Sequence, residues 1–447
     1  MNEPSLWIRN PLAILHGNAA GGIVVQNGHI IEILVSGAAP SKPGYTIFDA
    51  SRHVMLPGLI NTHHHFYQTL TRATPQALDR ELFEWLAALY PIWGRLTPDL
   101  LDCAVTVAMA ELLLSGCTTT TDHHYVFPAG LEQAIDIEVA AARRLGIRVV
   151  LTRGSMNLSQ RDGGLPPDSV VQDEDTILDD SARLIDRYHE ASPHAMVQIA
   201  LAPCSPFSVT ASLMRRTAEL AEQRGVRLHT HLAETQDEAA FCQATYGCSP
   251  LDYLEQNGWL HDRTWLAHGV HFSPMDMQRL AKAGTGVTHC ACSNQVLASG
   301  HCLVCELEAA GVPVGLGVDG SASNNASNLI QEVRAAFLLQ RGRYGVARVT
   351  PRDALRWATV GSAACLGRSE LGSITIGAAA DLALFTVDEL RFAGALDPLS
   401  ALVLAGAHRA DRVMVAGRWV VIDGAIPGLD LAALIARQNA AAMRLAG

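Results

Sequence analysis

The chain has 447 residues, of which 49% are hydrophobic and 17% charged, and this balance predicts a large globular core rather than a disordered chain. Its net charge of −11 without a long basic run argues against duplex nucleic acid as a partner, because that binding requires clustered lysine and arginine. Residues 1–4 carry no basic leader and no apolar run reaches membrane-spanning length, so we expect a cytoplasmic protein with a small-molecule partner and no membrane partner; a homo-oligomer is compatible with these features.

Both ends of the chain consist of short extended runs separated by glycine, proline and asparagine. In the first part these runs cover residues 6–8, 12–15, 22–26, 29–35 and 45–48, and Asn27-Gly28 is a hairpin signal, which together predict a β-meander. The last part repeats this pattern at residues 372–376, 381–386 and 412–421. Neither end is long enough for a stable sheet pair alone, so we predict one small β-sandwich domain formed jointly by residues 1–57 and 372–447.

Between the two ends, runs of strand length alternate with amphipathic helical runs. The strand-like runs cover residues 54–60, 117–122, 147–152, 196–202, 226–231, 264–267, 286–290 and 313–318. Helical runs between most of them cover residues 100–115, 131–145, 176–189, 212–224 and 329–340. This alternation predicts an α/β fold, a (β/α)8 TIM-like barrel over residues 58–371. The alternative is an open doubly wound sheet, but the glycine-rich nucleotide-binding motifs typical of that fold are missing from the sequence.

Candidate metal ligands recur at the predicted carboxyl ends of these strands. In chain order they are His63, His65, His231, His268 and Asp319. On an extended segment His63 and His65 point the same way and His64 points away. Because the carboxyl ends of parallel barrel strands open on one face, the candidates are expected to meet at one mouth. Three imidazoles and a carboxylate suit a zinc ion that keeps one position open for water.

The ten cysteines are scattered through the chain, so we expect reduced thiols rather than a disulfide framework. Cys290, Cys292, Cys302 and Cys305 permit a second interpretation, a structural zinc site. We favour buried small hydrophobic residues there, because residues 285–290 are strand-like and residues 302–310 helix-like.

The whole set of motifs resembles the amidohydrolase superfamily, in its branch of mononuclear purine and triazine aminohydrolases. The resemblance covers nearly the whole chain and rests on PGLINTHHH at residues 57–65, on His231-x-x-Glu234, on Ala267-His268, on GVDG at residues 317–320 and on GAAADL at residues 377–382. Asn61 stands where the family more usually has aspartate. The resemblance implies one zinc ion per chain, held by His63, His65, His231 and Asp319.

The resemblance also implies a hydrolytic deamination in which zinc activates water. Asp319 would accept the proton of that water, and Glu234 would protonate the ring nitrogen beside the amino-bearing carbon. His268 would orient the water and share in proton transfer. The fourth strand-like run, VQIALA at residues 197–202, has no lysine for the carboxylated bridge of a dinuclear member, which favours a single metal.

Two residues beside the metal motif bear on the substrate. The spacing His63-x-His65-x-x-Gln68 is similar to that of guanine deaminases, in which the glutamine faces the amidine edge of the purine. Cys204 stands where guanine deaminases carry arginine and adenosine or triazine members carry histidine. The chain most resembles the amidohydrolases that deaminate 8-oxoguanine, which implies conversion of 8-oxoguanine and water to urate and ammonia, with isocytosine as a smaller substrate. A nucleophilic Cys204 is the less favoured alternative, because metal-assisted hydrolysis needs no covalent step.

Two other functions remain open at this stage. One is a triazine or other purine or pyrimidine amino- or chlorohydrolase acting at the same site. The other is a non-catalytic, metal-stabilised barrel, which would have no need of Glu234 and His268. Residues 154–175 exceed ordinary connector length and predict a lid. Weaker pocket candidates, chosen from their positions near predicted strand ends, are Tyr90, Trp93, His123, His124, Tyr125 and Arg153.

Overall fold

The computed structural model describes residues 5–15 and 18–447. Residues 1–4, 16 and 17, which belong to the predicted end domain and on the first four of which the expected lack of a leader rests, lie outside these ranges. The described strands are β1 (Leu6–Arg9), β2 (Ala13–Ile14), β3 (Gly22–Gln26), β4 (His29–Leu34), β5 (Thr46–Asp49), β6 (His53–Pro57), β7 (Leu59–Asn61), β8 (Cys117–His124), β9 (Arg148–Ser155), β10 (Val197–Pro203), β11 (Leu228–Leu232), β12 (Thr264–His268), β13 (Gly286–His289), β14 (Val314–Leu316), β15 (Leu382–Thr386), β16 (Arg412–Val415) and β17 (Arg418–Val421). The described α-helices are α1 (Leu82–Trp93), α2 (Pro98–Leu114), α3 (Ala134–Leu145), α4 (Glu174–Tyr188), α5 (Ala211–Arg224), α6 (Gln236–Tyr246), α7 (Pro250–Gln256), α8 (Pro274–Ala283), α9 (Ala291–Val296), α10 (Val304–Ala310), α11 (Leu329–Tyr344), α12 (Pro351–Arg356), α13 (Ser362–Cys365), α14 (Pro398–Ala401) and α15 (Leu431–Ala446).

Strands β7 to β14 form one sheet of eight parallel strands whose spatial order follows the chain. Backbone hydrogen bonds join its two ends: Thr62 N donates to Leu316 O (3.0 Å), and Asp319 N donates to His63 O (3.1 Å). The Asn61 side chain strengthens this closure, because its Oδ1 accepts from Val318 N at 2.9 Å. The predicted (β/α)8 barrel is confirmed, and the doubly wound alternative is wrong.

The strand predicted at residues 54–60 is divided between two sheets. β6 pairs antiparallel with β15 in an end sheet, whereas β7 pairs with β8 in the barrel. Gly58 lies at the break, where its N–H donates to Asp381 O at 2.8 Å. A Cβ at this position would lie 2.0 Å from Thr118 Oγ1, so the chain can pass here only with glycine. The histidine pair therefore follows a barrel strand of only three residues.

The chain ends form two further sheets, with strand orders β4-β3-β1-β5 and β17-β16-β15-β6-β2. The two sheets share an apolar core that includes Ile8, Ile23, Ile30, Met55, Leu382, Leu384 and Met414, as predicted for a small sandwich. Asn27 (φ 50°) and Gly28 (φ 79°) form the predicted hairpin turn between β3 and β4. The predicted meander is wrong in part, because β1 pairs in parallel with β5 and β2 joins the other sheet beside β6.

A buried ion pair joins the barrel to the end sheets. The Arg148 guanidinium, at the start of β9, donates through Nε and Nη2 to the Asp381 carboxylate at 3.0 and 3.1 Å. Asp381 directly precedes β15. Helix α15, although within the range 372–447, packs on α2 of the barrel. We propose that the boundaries between the end domain and the barrel lie between residues 57 and 58 and between residues 371 and 372. This proposal concerns the strands only.

Among the described residues, no helix combines the length and the apolar character needed to cross a bilayer. The ten cysteines are all free thiols. Cys290, Cys302 and Cys305 are buried and Cys292 is half-buried. The hydrophobic interpretation of these four cysteines stays a prediction.

Candidate metal centre at the barrel mouth

The five candidate ligands and proton carriers lie together at the carboxyl ends of the barrel strands. His63 and His65 follow β7, His231 lies in β11, His268 ends β12 and Asp319 follows β14, and all five are buried. His268 (φ 72°) and Asp319 (φ 63°) adopt the left-handed backbone region, which is uncommon outside glycine and recurs at functional sites.

The hydrogen bonds of His65 and His231 determine which ring nitrogen carries a proton. His65 Nδ1 donates to His123 O and His231 Nδ1 donates to Cys204 O, each at 2.7 Å. A carbonyl oxygen can only accept, so in the neutral rings both Nε2 atoms carry lone pairs. These two atoms are 3.2 Å apart in the buried mouth. Two lone pairs at this distance repel each other unless a cation lies between them, so the pair fits a metal ion.

The ring of His63 is also oriented by a hydrogen bond, in this case to His229. His229 Nδ1 donates to Trp265 O at 2.8 Å, so His229 Nε2 accepts from His63 Nδ1, also at 2.8 Å. The remaining nitrogen, His63 Nε2, is buried and has no hydrogen-bond partner among the described residues. It lies 3.3 Å from Asp319 Oδ1, and His65 Nε2 lies 3.3 Å from the same oxygen. Three imidazole lone pairs and one carboxylate oxygen thus converge, which is a donor set for zinc.

Glu234 and His268 face each other beside these ligands. His268 Nε2 lies 3.5 Å from Glu234 Oε2 and 3.9 Å from Asp319 Oδ2. Burial raises the pKa of Glu234 to about 7. Burial alone would lower the pKa of His268, but the carboxylates of Glu234 and Asp319 raise it above its usual value. Near neutral pH this pair can therefore hold and transfer a proton.

Glu238, which sequence reasoning missed, orients the segment that carries Glu234. Its two carboxylate oxygens accept from Ala233 N and Glu234 N, each at 2.9 Å, at the start of α6. Ala233 itself has φ 55°, so the two bonds hold a sharp turn between β11 and α6. The signal in the sequence was an acidic residue four positions after Glu234, in the first turn of a helix that follows a barrel strand.

A pocket opens beside the ligands. Polar groups in its wall include Gln68, Cys204, Glu234, His268, Asp319 and Ser323, and its apolar wall is formed by Leu82, Trp85, Leu86, Phe207 and Leu297. Both polar atoms of the Gln68 amide are buried without a hydrogen-bond partner in the described part of the chain. A Cβ on Gly320 would lie 1.9 Å from Gln68 Oε1, so glycine makes room for this amide. The pocket thus contains one free donor and one free acceptor.

Cys204 contributes a neutral thiol to the pocket wall. Its Sγ lies 3.9 Å from His231 Nδ1, and burial raises the pKa of the thiol to about 12. A nucleophilic cysteine needs a lowered pKa, so the geometry gives no support to a covalent role.

Several weaker candidates lie away from the pocket. Trp93 donates to Thr71 Oγ1 and Tyr90 packs beside it, whereas the neighbouring Trp85 lines the pocket. Arg153 pairs with Asp180 at 2.8 Å and stacks on a phenylalanine. None of residues 154–175 lines the pocket, so the predicted lid is not part of its wall.

Of the remaining candidates, Tyr125 lines the pocket, and the ring of His123 stacks on the ring of His231. His124 lies 3.2 Å from Glu138 in the barrel wall, away from the metal ligands. His64 points away from them as expected, and its Nδ1 accepts from His65 N at 2.8 Å.

Comparison with known proteins agrees with this geometry. A family model described as "Amidohydrolase family" matches residues 54–420. The chain is 62% identical to an 8-oxoguanine deaminase from Pseudomonas aeruginosa over 442 residues, which are 98% of either chain. It is 36% identical to a hydroxydechloroatrazine ethylaminohydrolase from Pseudomonas sp. strain ADP, over 91% of this chain and 88% of that protein. The crystal structure of an atrazine chlorohydrolase from Arthrobacter aurescens TC1, complexed with zinc, has a TM-score of 0.90 at 33% identity and covers 98% of this chain and 100% of that chain.

Proposed function

The chain belongs to the amidohydrolase family, and from that premise we propose that it is a hydrolase that deaminates 8-oxoguanine with one zinc ion per chain. In this reaction the bond from the ring carbon to the exocyclic amine breaks and a bond to a water oxygen forms, giving urate and ammonia. The observation that carries the proposal is the convergence of three oriented imidazole nitrogens, two of them 3.3 Å from Asp319 Oδ1, beside Glu234, whose pKa burial raises to about 7. The identity of 62% to an 8-oxoguanine deaminase supports the choice of substrate.

The zinc ligands in this proposal are His63, His65, His231 and Asp319. A zinc ion held there supplies a Lewis acid that activates water near neutral pH. Three neutral imidazoles and one carboxylate would hold a divalent zinc ion with one net positive charge, which would favour the ionised form of water. A cytoplasmic location belongs to the same proposal, because free thiols are typical of a reducing compartment.

The proton steps are assigned to three side chains. Glu234, whose pKa is about 7, donates a proton to the ring nitrogen beside the amino-bearing carbon and so makes that carbon more electrophilic. Asp319 accepts a proton from the attacking water through Oδ2, the carboxylate oxygen on the side of His268. His268 orients that water and passes the proton on toward the leaving amine, which departs as ammonia. The remaining proton of the new hydroxyl returns to Glu234 as the carbonyl forms.

Substrate recognition is assigned to the pocket wall. The free amide of Gln68 can donate to one atom and accept from another along an amidine edge, which both 8-oxoguanine and isocytosine present. Trp85 and Leu86 offer flat apolar surface for a planar ring. Cys204 offers only a weak donor to the ring carbonyl that guanine and 8-oxoguanine share, so the preference for 8-oxoguanine rests on the similarity to an 8-oxoguanine deaminase.

The test is a substrate panel run beside elemental analysis. We expect ammonia release from 8-oxoguanine above all, weaker release from isocytosine and guanine, none from adenosine, and one zinc per chain. The second candidate, a triazine hydrolase, is favoured by the similarity to the atrazine chlorohydrolase and predicts chloride release from a chlorotriazine. Chloride release without ammonia release from any purine would contradict the proposed substrate.

A further inference from the structure

We propose that Ser293 and Asn294, on the short helix α9, are positioning residues for the site described above. Ser293 selects which carboxylate oxygen of Asp319 faces the metal ligands, and Asn294 selects which nitrogen of His268 carries the proton. Both act through another residue, and the role of Asn294 in turnover rests on the proposed function.

Local structure brings both side chains to the barrel mouth. β13 ends at His289 and α9 begins at Ala291, so Ser293 and Asn294 lie in the first turn after a barrel strand. Both side chains are fully buried. The carboxyl end of a barrel strand is where side chains meet the active site, and these two point toward it from the seventh strand.

Ser293 holds one oxygen of Asp319. Its Oγ donates to Asp319 Oδ2 at 2.6 Å and lies 2.9 Å from Ser323 Oγ. The other oxygen, Oδ1, accepts from Gly320 N at 2.6 Å and faces the imidazoles of the metal site. Without the serine hydroxyl, only the Gly320 N–H holds the carboxylate, so Oδ1 is fixed less firmly toward those imidazoles.

Asn294 fixes the ring of His268. The Asn294 carboxamide oxygen accepts from His268 Nδ1 at 2.9 Å, which places a proton on Nδ1 and directs Nε2 toward Glu234 and Asp319. Without this acceptor either nitrogen of His268 can carry the proton, and the ring can rotate away from the two carboxylates.

Helix α9 is itself anchored to the segment that carries Asp319. The buried Glu332 carboxylate, on α11, accepts from Cys292 N at 3.0 Å and from Asn324 Nδ2 at 2.9 Å. Asn324 Nδ2 also donates to Val318 O at 2.8 Å, next to Asp319. The position of α9 relative to Asp319 is therefore held by bonds that do not involve Ser293 or Asn294, so removing either side chain tests positioning rather than folding.

The test of Ser293 measures zinc retention and needs no substrate. We expect Ser293→Ala to lose zinc to a competing chelator about 10- to 100-fold faster than the parent. This is the range typical when a hydrogen bond that orients a metal ligand is lost. Gln295→Ala is the matched control, because Gln295 lies on the same helix and is exposed. A chelation rate for Ser293→Ala equal to that of Gln295→Ala would overturn the assignment.

The test of Asn294 compares two variants. Asn294→Leu lacks the oxygen that accepts from His268 Nδ1, and Asn294→Asp keeps an acceptor oxygen. We expect Asn294→Leu to lower kcat on 8-oxoguanine about 10- to 100-fold with KM within about twofold and zinc content unchanged. Asn294→Asp keeps an acceptor oxygen and is expected to retain within about fivefold of the parental kcat. If the leucine variant were as active as the aspartate variant, the role of Asn294 would be wrong.

The two proposals fail in different ways. A parent that releases no ammonia from 8-oxoguanine contradicts the proposed function alone. The tautomer of His268, followed by nitrogen NMR of histidine-labelled holoenzyme at a pH high enough for the ring to be neutral, still tests Asn294: we expect the proton on Nδ1 in the parent and in Asn294→Asp, and a mixture in Asn294→Leu. A fixed Nδ1 proton in the leucine variant would overturn the inference whatever the substrate.

Discussion

Every imidazole of the metal site has one nitrogen occupied by a partner in the barrel wall. The partner of His65 is His123 O, the partner of His231 is Cys204 O, and the partner of His63 is His229. Motif spacing predicted which side chains meet, since alternate residues of an extended chain share a face. It could not predict their tautomers, because the acceptors come from strands distant in sequence.

The first prediction at the residue scale concerns Glu234. In Glu234→Gln the side chain keeps its shape but cannot give up a carboxyl proton, so ammonia release from 8-oxoguanine should fall about 10²- to 10⁴-fold with zinc content unchanged. Asp237→Asn, at an exposed acid on α6 three residues after Glu234, is the control and should keep the parental rate. Parental turnover by Glu234→Gln would refute the proton role.

The second prediction is a pH dependence that follows from the raised pKa of Glu234. The proposed step needs the protonated carboxyl, which is populated below a pKa of about 7 and lost above it. We therefore expect kcat/KM for 8-oxoguanine to decrease as the pH rises through about 7, approaching a tenfold loss per pH unit well above that point. Initial rates from pH 5.5 to 9 measure this, and a constant kcat/KM across that range would contradict the assignment.

The third prediction uses Gly320 to displace Gln68. A Cβ on Gly320 would lie 1.9 Å from Gln68 Oε1, so Gly320→Ala should push the amide away from the pocket. We expect KM for 8-oxoguanine to rise about tenfold, equivalent to ~1.4 kcal/mol, through the loss of hydrogen bonds to the substrate. Gly342→Ala is the control, because a Cβ there meets nothing within 4 Å. An unchanged KM in Gly320→Ala would remove Gln68 from substrate recognition.

At the scale of elements, β11 supplies one proposed metal ligand, His231, and also His229, which orients a second proposed ligand, His63, by a hydrogen bond. His231 and His229 are two residues apart and face the barrel interior; His231 reaches the mouth, whereas His229 lies deeper, where its ring stacks on Trp265 at 4.4 Å. The sequence predicted that His229 is a poor candidate ligand, and this stays a prediction. Its bond to His63 was missed because the two residues lie 166 positions apart in the chain.

The fourth prediction follows from that arrangement. His229→Phe keeps a ring beside Trp265 but removes the acceptor for His63 Nδ1, so the orientation of His63 is no longer fixed. We expect zinc affinity to fall about 10- to 100-fold, although His229 does not bind the metal. Competition with a zinc chelator measures this, and His231→Ala, which removes a ligand, should lose zinc more completely. Equal zinc affinity in His229→Phe and the parent would show that zinc binding does not depend on the hydrogen bond from His63 to His229.

Short elements were the hardest to predict from sequence. The long barrel strands and helices followed their periodicity, with β8, for example, observed at Cys117–His124 against a predicted 117–122. The apolar run at residues 54–60 gives no local sign that Gly58 divides it, because the division depends on contacts with Thr118 and Asp381. Helix α9 is six residues long, too short for periodicity to reveal the buried Ser293 and Asn294.

At the scale of the whole molecule, the end sheets and the metal site lie at opposite ends of the barrel strands. Arg148 begins β9 and pairs with Asp381, directly before β15 of the end sheets, whereas the proposed zinc ligands follow their strands or, for His231, lie one residue before the strand end. The residues that join the two chain ends to the barrel are therefore separate from those that carry the chemistry. Substitutions at this junction should lower the free energy of unfolding and leave the side chains at the barrel mouth in place.

The fifth prediction tests that separation. Arg148→Met leaves the Asp381 carboxylate buried without its cation, and breaking a buried pair in this way costs about 3–5 kcal/mol of the free energy of unfolding. Arg224→Met breaks an exposed pair with Asp186 and should cost at most about 1 kcal/mol. Denaturant unfolding of both variants measures the difference, and kcat of the folded Arg148→Met protein should stay within about twofold of the parent, because no zinc ligand contacts Arg148. Equal stability of the two variants would show that this ion pair does not hold the end sheets to the barrel.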